Sequence, residues 1–102
     1  MKNMLKSRKI LLLTQNEVHT TIMKIYDYNG KKNICGEKIH EIRRKRKLTQ
    51  SELAAKLQLA GIIIERDSIS RIEIGTRFVA DYELREIARI LKTSVTYLLG
   101  EK

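Results

Sequence analysis

Residues 49–75 read TQSELAAKLQLAGIIIERDSISRIEIG, and this stretch decides the fold. Thr49-Gln50-Ser51-Glu52 has the form of a capping box: a hydroxyl to accept from a free helix-end N–H, and a glutamate three residues on to reach back. A helix opens there with Leu53, Ala54 and Leu57 on one face. Gly61 predicts its end, because glycine takes left-handed backbone without a Cβ penalty. Ile62-Ile63-Ile64 is β-branched and reads as extended linker. The next helix starts between Glu65 and Asp67, turns Ile69 and Ile72 inward and stops at Gly75.

The same spacing continues on both sides. Upstream, a helix over about 36–46 places Ile39 and Ile42 on one face. It ends in Arg43-Arg44-Lys45-Arg46-Lys47, where cations favour the negative end of the helix dipole. Downstream, a helix over about 81–92 brings Leu84, Ile87, Ala88 and Leu91 to core spacing, and a short one over about 94–99 adds Val95, Leu98 and Leu99. The fold class is therefore all-α: five short amphipathic helices sharing one small core, over residues 34–100.

Residues 1–33 carry no sustained helical spacing and are expected to be mostly a mobile basic arm. Ile25 to Gly30 reads as a short strand entering a turn, since Asn29-Gly30 tolerates positive φ. Met23 is a second possible start, so residues 1–22 read either as an over-extended start or as an accessory tail.

The chain has 102 residues, with 21 Lys/Arg against 12 Asp/Glu and a net charge of +9, which favours an anionic partner. Residues 1–35 hold seven cations and two acids, a net of +5; the remainder is mixed in sign with local basic clusters. The longest early apolar run, Ile10 to Leu13, is too short for a membrane span or a secretion signal. A single cysteine, Cys35, excludes an internal disulfide and a cysteine-ligated zinc finger. These features point to a small cytoplasmic domain with no membrane partner.

Gln50, Glu52-Leu53-Ala54, Lys56-Leu57, then Ile69-Ser70-Arg71-Ile72-Glu73 and Gly75 resemble the helix-turn-helix of Cro and phage-repressor type, the XRE family. Leu84, Ile87-Ala88, Leu91 and Leu98-Leu99 match that family's fourth and fifth helices. The resemblance spans about residues 34–100. It departs from the family in three places. Leu57 and Ile69 stand twelve residues apart, a longer turn than usual; Glu65 replaces a polar cap; and Ile74 stands where asparagine often precedes the glycine.

The resemblance implies a third helix that enters the major groove of double-stranded DNA with its N-terminal residues on base edges. Ile69 and Ile72, turned inward, leave Arg66, Asp67, Ser70 and Arg71 outward as candidate base contacts. Arg66 or Arg71 can pair with guanine, and Ser70 lets the helix sit close. Asp67 reads either as a helix cap or as an acceptor for a cytosine amino group. By the resemblance Gln50 contacts a phosphate at the start of the second helix. Thr76 and Arg77 can reach the same backbone, and Arg44 to Lys47 are either phosphate contacts or a solvated helix end. Arg43 and Glu73 match positions that form an ion pair in the family.

Plainer roles are assigned elsewhere. Cys35 reads as a small apolar filler, and His19 and His40 as ordinary surface or core residues. Tyr26, Tyr28, Tyr82 and Tyr97 form no stacking stripe for single strands. Ile62 to Ile64 is either packed linker or part of a self-association patch. No catalytic constellation, metal set or cofactor motif is present in the sequence. The expectation is a transcriptional repressor, a homodimer on two DNA half-sites. The alternatives are an antitoxin-type regulator and an adaptor that binds a protein partner with the same surface.

Overall fold

The computed structural model describes residues 28–101, and the expectations for residues 1–27 lie outside them. The chain divides into two units, Met1–Gly30 and Lys31–Lys102. In the first, Asn29 (φ 52°) and Gly30 (φ 79°) make the turn expected of an Asn-Gly pair. The second holds five helices: α1 (Gly36–Lys45), α2 (Gln50–Leu59), α3 (Arg66–Ile74), α4 (Asp81–Ile90) and α5 (Val95–Leu98). No strand forms among the described residues.

One apolar core joins them. Ile39, Leu53, Leu57, Ile69, Ile72, Ile87, Leu91 and Leu98 are fully buried, with Ile42, Ala54, Leu84 and Ala88 around them. Cys35 lies in this core, and burial pushes its thiol above the ordinary range although a hydrogen bond draws it partly back. Gly36 permits the closest approach: a Cβ there would collide with the Ile72 carbonyl oxygen, so α1 begins against the end of α3.

The helix ends follow one scheme, in which a residue in left-handed backbone lets the next N–H bond back five residues. At α2, Gly61 (φ 89°) directs Ile62 N–H to the Leu57 carbonyl at 2.9 Å; at α3, Gly75 (φ 98°) directs Thr76 N–H to Arg71 at 2.9 Å. Lysines fill that position elsewhere. Lys47 (φ 58°) closes α1, and Lys92 (φ 57°) closes α4 with Thr93 N–H on Ala88. The left-handed turn at Lys92 is why α4 stops at Ile90, two residues before the expected end.

The helical unit begins at Lys31, before the expected boundary at residue 34. Asn33 Nδ2 donates to the Ile72 and Arg77 carbonyls at 3.0 and 2.8 Å, and its Oδ1 accepts from Gly36 N–H at 2.8 Å. Lys32 N–H donates to the Gly75 carbonyl at 2.8 Å. Residues 31–33, expected to belong to the mobile arm, are thus fastened to the end of α3.

Candidate nucleic-acid interface

The capping box at α2 is complete: Glu52 N–H donates to Thr49 Oγ1 at 3.0 Å and Thr49 N–H to Glu52 Oε1 at 2.8 Å. Gln50 stands first in α2, at the positive end of its dipole. Its carboxamide bridges two elements. Nε2 donates to Glu73 Oε1 at 3.1 Å, and Oε1 accepts from Arg66 Nη1 at 3.4 Å.

Glu73 is the hub beneath this surface. Arg43 Nε donates to Oε2 at 2.6 Å and Nη2 to Oε1 at 3.1 Å, while Arg43 Nη1 reaches the Leu48 carbonyl at 2.7 Å. His40 Nδ1 lies 2.8 Å from Oε1 and 3.2 Å from Arg43 Nη2; because a carboxylate only accepts, a bond to Glu73 requires the tautomer with its proton on Nδ1. Burial alone would raise the Glu73 carboxyl. The bonds from Arg43, His40 and Gln50, with the Arg43 charge, outweigh it and hold the group below its ordinary value. His40 was read as an ordinary residue; its acidic partner lies 33 positions away and only the fold supplies it.

The turn from α2 to α3 is long but tethered. Ile64 is 2% exposed and joins the core, and Gln58 Nε2 holds its carbonyl at 2.7 Å. Ile62 is half-buried, whereas Ile63 is 95% exposed. The three isoleucines therefore have separate surroundings, as extended backbone requires. Helix α3 then starts after Glu65, whose side chain makes no capping bond. Asp67 is not a cap: it lies inside the first turn, and its carboxylate accepts from Arg66 Nη2 at 2.9 Å.

With Ile69 and Ile72 buried, Arg66, Asp67 and Arg71 are exposed and Ser70 is half-buried. The Arg71 guanidinium has no partner among the described residues, whereas Arg66 shares Asp67 and Gln50.

Of the basic run at the end of α1, two members are bound internally: Arg43 to Glu73, and Arg46 to the Leu91 and Lys92 carbonyls at 2.8 and 3.2 Å. Arg44, Lys45 and Lys47 are exposed, and their side chains have no partner among the described residues. Beyond Gly75, Thr76 is exposed, with its hydroxyl 3.4 Å from the Arg71 carbonyl. Arg77 is held within the protein. Its Nη1 and Nη2 donate to Glu83 at 3.0 and 3.1 Å, and Nη1 also donates to the Phe78 carbonyl at 2.9 Å. The hydrogen bonds it donates to Glu83 raise Arg77 above its ordinary value. Burial pushes Glu83 up, but Arg77 and the Ala80 N–H outweigh that and hold it low.

Sequence reading misses Lys32 and Asn33, and it takes Arg46 for a solvated or phosphate-binding cation where the fold ties it to two carbonyls. Each binds carbonyls 39 to 46 residues away, and such contacts leave no periodic trace. Among the described residues no cluster of His, Cys, Asp and Glu could hold a metal ion, and no helix is long and apolar enough to cross a membrane.

The sequence matches the model of a helix-turn-helix family over residues 39–98, which covers α2, the long turn and α3 whole. Comparison with curated proteins and with solved structures brought no match.

Proposed function

Because the chain belongs to the helix-turn-helix family of Cro and phage-repressor type, a family of DNA-binding domains, we propose that it is a sequence-specific regulator of transcription that represses from an operator in duplex DNA. The observation that carries the reading is the set of the third helix. Residues 66–74 are helical, Ile69 and Ile72 lock one side into the core, and Arg66 and Arg71 stay exposed.

In the proposed complex α3 lies in the major groove. Arg66 and Arg71 address guanine edges, Ser70 allows close approach, and Asp67 accepts from a cytosine amino group. Gln50 and the N-terminus of α2 hold one phosphate. Arg44 and Thr76 contact the backbone on either side. One short helix reads only a few base pairs, so the protein acts as a homodimer on half-sites about one helical turn apart. The reading needs no cofactor and no reaction, and places the protein with its DNA in the cytoplasm.

Selection of bound sequences from random duplexes at near-physiological salt tests this. The expected result is an enriched motif with two half-sites, and relaxed preference at one position per half-site in Arg66→Ala, equivalent to roughly 1–3 kcal/mol of discrimination. With ~6–10 phosphate contacts per dimer, affinity should fall about 10³–10⁵-fold between 50 and 200 mM salt. Selection of no motif by the wild-type protein would remove the reading.

A further inference from the structure

We infer that Lys32, rather than Arg77, supplies the cation that meets the DNA backbone at the C-terminal end of the recognition helix; the inference rests on the duplex-binding reading above. Arg77 follows the helix in sequence and is the obvious choice. Its guanidinium, however, forms a two-point pair with Glu83, whose side chain is 8% exposed, and also binds the Phe78 carbonyl. Moving it to a phosphate would strand a buried carboxylate.

Lys32 enters the same place from another part of the chain. Its N–H is bonded to the carbonyl of Gly75, the residue that ends α3. Asn33, next to it, is bonded to the carbonyls of Ile72 and Arg77, so the backbone of this segment is fixed on both sides of the helix end. The Lys32 ammonium rests 5.1 Å from the centre of the Phe78 ring and has no carboxylate partner among the described residues. Its neighbour Lys31 differs: that ammonium is paired with Glu37 at 2.8 Å. Of the two, Lys32 is thus the one without a carboxylate.

Dimensions bring it to the DNA. The nine residues of α3 extend about 13 Å, and the major groove is about 12 Å wide. With Arg66 at the bases, the Gly75 end of the helix comes to the phosphate wall. A lysine tied to the Gly75 carbonyl lies at that wall and can exchange the face of Phe78 for a phosphate oxygen.

Counterion release gives the test. Using the duplex that the wild-type protein selects, log affinity is measured against log salt concentration for the wild type, Lys32→Gln and Lys32→Arg. Loss of one phosphate contact lowers the magnitude of the slope by about 0.9 for each protomer bound. Lys32→Gln is expected to show that loss and Lys32→Arg the wild-type slope, a readout that a purely structural role for Lys32 would not move. Lys32→Gln running parallel to a wild type that binds overturns this inference and leaves the functional reading standing. A wild type that selects no duplex removes both.

Discussion

The two ends of the recognition helix are held in opposite ways. At its C-terminal end, Gly75 turns left-handed, Thr76 N–H closes the last turn, Asn33 and Lys32 bind the Ile72 and Gly75 carbonyls, and Arg43, His40 and Gln50 converge on Glu73. At its N-terminal end, Glu65 provides no capping bond, and the approach is steadied by buried Ile64 and one bond from Gln58. A helix fastened at one end keeps its axis. The first-turn N–H groups and the exposed Arg66, held only by surface bonds to Asp67 and Gln50, stand at the other end, open to groups outside the protein. In the proposed complex, the loosely tied end is the one that meets the bases.

Breaking the C-terminal clamp should have the largest effect. Arg43→Ala leaves Glu73 buried at 4% side-chain exposure without its main partner and should cost about 3–5 kcal/mol in urea unfolding. A loss under about 1 kcal/mol, typical of an exposed pair, would show that the clamp is not structural.

Acid should loosen the same end. Glu73 and Glu83 both titrate below the ordinary value of 4.5 in the folded protein. Their contribution is complete above that value and is lost as pH falls through the lowered folded values. Unfolding free energy should therefore decline with acidification below about pH 5, and the decline should be shallower in Glu73→Gln. A variant that loses stability with acid as steeply as the wild type would remove Glu73 from this account.

The smallest effect, opposite in sign, concerns the other end. Glu65→Ser places a hydroxyl at the uncapped position and should raise stability by about 1 kcal/mol. If thermal unfolding shows no gain, the first turn of α3 is already satisfied by groups other than a cap.

The helices were legible in the sequence because burial imposes a period. Leu53, Ala54 and Leu57, Ile69 and Ile72, and Leu84, Ile87, Ala88 and Leu91 are buried as their spacing predicts. The turn stops at Gly61 and Gly75 were equally readable, since left-handed backbone favours one residue type. The ends at Lys47 and Lys92 were not, because lysine carries no such signal. Nor did the sequence divide the run Ile62-Ile63-Ile64 into a core residue, a half-buried one and an exposed one. Only the path of the backbone past the core decides that.

Periodicity, capping chemistry and glycine placement determined the helical elements of this protein and which side of its third helix turns inward. They are local properties, and each acts within a few residues along the chain. The tertiary structure decided which of the outward cations are available. Arg46 and Arg77 read in sequence as cations open to a phosphate, yet both are tied to groups inside the protein, while Arg71 and Lys32 have no carboxylate partner among the described residues. Charge is written in composition; whether a charge is already neutralised depends on what the fold brings within about 3 Å of it, and those partners lie far away in sequence.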